Sequence, residues 1–183
     1  SVDAWQYLTV GEIESVFPTS GQEGTRVEVA GTDLLGGGGG LVSITLAGTE
    51  AGEVISATNE VIVVVIAAGD AQTGDIVIVS DSGAVVTKSD GFSQFASGEI
   101  TSESPNVGQL GTIVTISGAN LLGGGSAFTY ITVKGHPVLD VIHESDDLLI
   151  VRIASSESVG IADIQLATNT GASITDVESF TYA

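Results

Sequence analysis

His136 and His143 are the only imidazoles in a chain that has no cysteine, so the inventory for acid–base, nucleophilic or metal chemistry is short. Catalysis through either would need a nucleophilic serine or a carboxylate within reach. No serine sits in a G-x-S-x-G turn, and the first half of the chain has no histidine at the matching place; both read as loop histidines. Without Cys there is no thiolate zinc site, no disulfide framework and no cysteine nucleophile. The glycine runs Gly36–Gly40 and Gly123–Gly125 lead into Leu41 and Ser126. A phosphate loop needs a Lys-Ser/Thr pair and a helix there, so nucleotide binding is excluded. Calcium wants roughly six to eight oxygens from several close carboxylates. The densest acidic stretches, Glu144-Ser145-Asp146-Asp147 and Ser80-Asp81-Ser82-Gly83, lack the spaced D-x-D-x-D-G pattern and read as turns, where Asp and Ser bond their own backbone. No catalytic residue, metal site or cofactor is expected; calcium is the one ion the acidic composition still admits.

The elements that must carry these residues repeat. Segments 11–38 and 98–125 agree at 16 of 28 positions at a constant offset of 87, Gly11/Gly98, Pro18/Pro105, Gly24/Gly111 and Leu34/Leu121 among them. Downstream, 74–87 lies over 162–175 and Phe92 over Phe180 at an offset of 88. A repeat of this length points to two similar domains, placed at 11–96 and 97–183 and preceded by an extended segment over 1–10. Within each copy the apolar period is 2: Val27 and Val29 alternate with Arg26 and Glu28, and Ile164 and Leu166 flank Gln165. Short alternating runs between glycine-rich turns predict antiparallel strands of a sandwich, with very little helix.

The pattern I-x-S-x-x-P-x-x-G-x-x-G-T-x-V-x-[VI]-x-G-x-x-L appears twice. It is carried by Ile13, Ser15, Pro18, Gly21, Gly24, Thr25, Val27, Val29, Gly31 and Leu34 in the first copy. The second has Ile100, Ser102, Pro105, Gly108, Gly111, Thr112, Val114, Ile116, Gly118 and Leu121. Asp75-Ile76 and Asp163-Ile164 follow, then the closing Phe92 and Phe180. Each copy resembles an IPT/TIG domain. The resemblance implies an all-β chain of two tandem immunoglobulin-like β-sandwiches, to which residues 1–10, ahead of the first motif, add an N-terminal extended strand. It implies little about function, because the family serves in receptors, transcription factors, surface proteins and carbohydrate-active enzymes. Its DNA-contacting members use basic loops. This chain has only Arg26, Lys88, Lys134 and Arg152 in all, so that branch does not carry over.

Composition narrows the partners. With 23 Asp+Glu against 4 Lys+Arg the net charge is -19, which repels phosphate backbones and anionic lipid. The longest apolar run, Val61–Ala68, has 8 residues, short of the roughly 20 of a membrane span. Neither nucleic-acid binding nor membrane insertion is expected. No N-x-S/T sequon occurs, while Ser and Thr number 38, so O-linked or bound glycans fit better than N-linked ones. A chain that starts at Ser1 reads as a processed product, and an extracellular or cell-surface location is expected.

Two features exceed what a pair of sandwiches requires. Residues 1–10 hold the only Trp; as a strand they set Trp5 and Tyr7 on one face and Val2, Ala4, Leu8 and Val10 on the other. Comparison of the copies gives the second feature. Val63, Val65, Val77 and Val79 stand where the second copy has Ile150, Arg152, Gln165 and Ala167, leaving the first domain more apolar on faces that should be solvated. Residues 1–10 are therefore expected to act as a donor strand on this acceptor face of a neighbouring copy. That makes the chain a non-enzymatic repeating subunit of a head-to-tail surface filament, with itself as main partner. The alternative is an adhesive or carbohydrate/receptor-binding module of a larger cell-surface protein. Phe128 and Tyr130 read as ordinary strand positions, which weighs against an aromatic sugar platform.

Overall fold

The computed structural model describes residues 9–183. Those residues fall into two compact units, one of Arg26–Gln94 with the described residues up to Ser20, the other of Phe95–Ala183 with Gly21–Thr25. Among the described residues there is no helix, as the period-2 pattern requires.

The first sandwich is built from β1 (Glu12–Phe17), β2 (Ser20–Gly21), β3 (Arg26–Thr32), β4 (Leu41–Leu46), β5 (Thr49–Glu50), β6 (Glu53–Ala57), β7 (Val61–Val65), β8 (Gln72–Ser80) and β9 (Val85–Gln94). One sheet runs β1-β3-β7-β6 and the other β2-β9-β8-β4-β5. Alternate side chains turn inward: Val27, Val29, Ile62 and Val64 from the first sheet meet Ile44, Leu46, Ile76, Ile78 and Phe92 from the second. Burying such a layer supplies the main favourable term of folding.

The second sandwich repeats this strand for strand with β10 (Glu99–Ser104), β11 (Val107–Gly108), β12 (Ile113–Ala119), β13 (Phe128–Val133), β14 (His136–Pro137), β15 (Asp140–Glu144), β16 (Leu148–Arg152), β17 (Gly160–Thr168) and β18 (Ser173–Tyr182). Its sheets are β10-β12-β16-β15 and β11-β18-β17-β13-β14. Val114, Ile116, Leu149 and Val151 face Ile131, Val133, Ile164, Leu166 and Phe180.

The repeated motif residues have structural work in both copies. Leu34 and Leu121 are fully buried, as are Phe92 and Phe180. A Cβ on Gly31 or Gly118 would collide with the carbonyl oxygen of Glu12 or Glu99 on the paired strand, so only glycine lets those backbones approach. Asp75 Oδ1 accepts the Asp90 N–H at 3.0 Å, and Asp163 Oδ1 accepts the Glu178 N–H at 2.8 Å. Both receiving residues sit in left-handed backbone, at φ 49° and 57°, where the β8–β9 and β17–β18 ladders shift register. The last strand of each unit is also tied to the same loop position: Gln94 Nε2 donates to the Ala67 carbonyl at 3.0 Å, and the Tyr182 hydroxyl to that of Ala154 at 3.2 Å.

Candidate functional site

The residues with catalytic or metal-binding potential are scattered or already engaged. His136 lies on β14, half-buried, and His143 is exposed on the edge strand β15. Glu144 Oε2 accepts the Phe128 N–H at 3.1 Å, Asp146 Oδ1 the Leu122 N–H at 2.9 Å, and Asp147 Oδ1 the Ser145 hydroxyl at 2.7 Å. Those carboxylates brace turns instead of pointing at a common centre, and among the described residues no three candidate ligands converge. In the first glycine run the Gly39 N–H donates to Asp81 Oδ1 at 2.8 Å. A carboxylate in that place repels phosphate.

The expected donor and acceptor residues are placed as follows. Val2, Ala4, Trp5, Tyr7 and Leu8 lie outside the described residues, and Val10 is 89% exposed. Val63 and Val65 are on β7, in the sheet β1-β3-β7-β6, whereas Val77 and Val79 are on β8, in the facing sheet. Their neighbours Ile62, Val64, Ile76 and Ile78 fill the core, so the two pairs sit on outer surfaces turned away from each other. The chain crosses between sheets from β7 to β8, and the four valines do not form one face. Val63, moreover, is buried on an inner strand between Glu28 of β3 and Ser56 of β6. Val65, Val77 and Val79 are half-buried.

A concave site does exist, in the second unit. A groove of about 350 Å³ is walled by Phe128, Thr129, Tyr130 and Ile131 of β13 and by Pro137, Val138 and Val141. It opens on the flank where the chain leaves β14 in one sheet and enters β15 in the other. The β13 ladder shifts register between Phe128 and Tyr130, as β4 does between Leu41 and Ser43, so it is the side chains that differ between the two copies here. Phe128 packs partly on the core while Tyr130 stays 47% exposed, so two aromatic rings two residues apart line one depression. Next to Val141 in the chain, Asp140 Oδ1 meets Arg152 Nε across β15 and β16 at 3.3 Å. The walls are apolar, with the Thr129 hydroxyl already donating to the Ala167 and Thr168 carbonyls at 3.4 and 3.2 Å. Such a depression can hold an apolar or ring-shaped group against aromatic faces.

Phe128 and Tyr130 are strand residues of β13, as expected, and both also line the groove. The repeat contained the signal: in the first copy Leu41 and Ser43 stand in their places, and Glu50 in that of Pro137. Leu41 and Phe128 both pack against the core of their own unit, so the larger change between the copies is the exposed Tyr130 in the place of Ser43.

The model of the IPT/TIG domain family matches residues 12–94 and again 99–182. Among solved structures, the Plexin A4 full extracellular region aligns over 97% of this chain and 16% of its own length, at 21% identity and TM-score 0.60. SGBP-B from a complex xyloglucan utilization locus in Bacteroides uniformis aligns over 94% of this chain and 49% of its own, at 19% identity and TM-score 0.40. SGBP-B of the Bacteroides ovatus mixed-linkage glucan utilization locus, in complex with a mixed-linkage heptasaccharide, aligns over 91% and 44%, at 20% identity and TM-score 0.39. The chain thus spans under half the length of each. No curated protein matches it.

Proposed function

The chain belongs to the IPT/TIG domain family in two copies, and on that premise we propose that it is a non-enzymatic, adhesive module of an extracellular or cell-surface protein. The groove of the second sandwich is its recognition site. The observation that carries the reading is the exposed Tyr130 ring beside Phe128, in a position the first copy fills with Ser43. Buried aromatic anchors supply much of the affinity of recognition surfaces. A surface carrying -19 favours uncharged or cationic ligands over anionic ones.

The test is binding of the labelled chain to intact cells and to a neutral oligosaccharide array, with Tyr130→Ser copying the first repeat. Loss of an anchoring ring should weaken binding about ten-fold or more, with the β-sheet circular dichroism unchanged. Binding that survives the substitution at full strength would remove the groove from the reading. Self-assembly by strand addition of residues 1–10 is the second reading. It is favoured by the open edge strand β6, where Val54 and Ile55 are 47% and 44% exposed. Polymers of the same preparation that vanish on deletion of residues 1–10 would support it.

A further inference from the structure

β15 is an open edge. It closes the sheet β10-β12-β16-β15, pairs with β16 alone, and exposes all five of its residues. An edge of this kind offers unpaired N–H and C=O groups to another extended chain. One residue of that edge, Val141, is also a wall of the groove that holds Phe128 and Tyr130. Edge and groove are therefore contiguous, and a chain laid along β15 turns every second side chain to the same side.

Charge decides what such a chain is. Asp140, Glu144, Asp146 and Asp147 lie on or beside the edge, and the nearby cation, Arg152, is engaged by Asp140 at 3.3 Å. A second copy of β15 would bring the same carboxylates, and residues 1–10 carry Asp3 with no Lys or Arg. Like charges opposed across a strand pair are unfavourable, so both are poor occupants. A cationic strand is complementary.

Resting on the reading that this groove is the recognition site, we propose that β15 accepts an extended, lysine- or arginine-bearing segment of a partner protein as an added strand. An apolar side chain of that segment seats against Phe128, Tyr130 and Val141. The ladder shifts register between Val141 and His143, and this bulge breaks the edge into short runs and keeps the pairing brief and reversible.

The probe is a fluorescein-labelled (Lys-Val)5 peptide titrated into the full chain at low salt, read by anisotropy and by amide hydrogen exchange. The charge-matched control is (Lys-Pro)5, in which every second residue lacks its N–H and the fixed proline φ holds the chain in polyproline II instead of a ladder-forming strand. The expected result is at least ten-fold tighter binding of (Lys-Val)5, slowed exchange confined to the amides of 140–144, and at least ten-fold weakening by Val141→Lys. Equal binding of the two peptides, protection elsewhere without protection of β15, or no binding overturns the proposal. Should Val141→Lys misfold, the exchange pattern of the unsubstituted chain decides the question by itself. Failure of (Lys-Val)5 while cell binding still depends on Tyr130 sinks the added strand and leaves the groove reading standing. Cell binding indifferent to Tyr130→Ser sinks the groove reading itself.

Discussion

Glu103 on β10 occupies the position of Val16, a buried core valine of the first copy, and Asp176 on β18 that of Lys88. In the first unit Lys88 Nζ donates to the Ile13 carbonyl at 3.1 Å; in the second, the substitution at both positions sets one carboxylate near another. Burial pushes the Glu103 carboxyl above the usual range, and the charge of Asp176 pushes it further, while a backbone hydrogen bond pulls partly back. A carboxyl whose folded value exceeds its unfolded one costs stability when ionised. The cost is absent below the ordinary carboxylate range, sets in as pH rises past that value and is complete above the raised one. Glu103→Gln should therefore raise the thermal midpoint at about pH 7, and the gain should shrink toward zero by about pH 4. Thermal unfolding of both proteins across that range checks it; a gain constant with pH would assign the effect to packing instead.

At the scale of elements, the strands were legible because the backbone imposes their period: inward Val27 and Val29, or Ile164 and Leu166, alternate however the sheets pack. The repeat showed which residues recur, though not why. Asp75 and Asp163 recur because each carboxylate holds a left-handed N–H in the bulge of the following strand, a cause that lies in another element. Removing that acceptor leaves the exposed Glu178 N–H to water, so Asp163→Ala should cost about 0.5–1.5 kcal/mol, read from denaturant midpoints. Asp75→Ala should behave alike in its own unit, and a neutral result in both would mean that the bulge is held by the ladder alone. The groove was not legible for the same physical reason. Tyr130 and Val141 come together only once β14 hands the chain to β15 across the flank, and alternation along β13 says nothing of that crossing. Likewise Val63 and Val77 look like equivalent surplus apolar positions in sequence, yet β7 and β8 belong to different sheets.

At the scale of the whole molecule, the net charge of -19 finds little local compensation. Among the described residues the one ion pair is Arg152 with Asp140. Lys88 and Lys134 spend their ammonium groups on carbonyl oxygens, those of Ile13 and of Ser158 and Val159. The fold is thus held by its apolar layers against a diffuse self-repulsion, which destabilises a compact state. Salt screens such repulsion over a Debye length of roughly 10 Å at 0.1 M, whereas it weakens exposed ion pairs, of which there is little to lose. The thermal midpoint should therefore rise between about 10 and 150 mM sodium chloride, by about 4–8 °C for each kcal/mol of repulsion removed from a unit of this size. A falling midpoint would mean that local charge contacts outweigh the net charge. Capture of a cationic strand by β15 carries the opposite sign, since its attraction is screened by the same ions. Over one salt titration, tightening of the fold and loosening of the complex should diverge, which separates what charge does to the module from what it does for the partner.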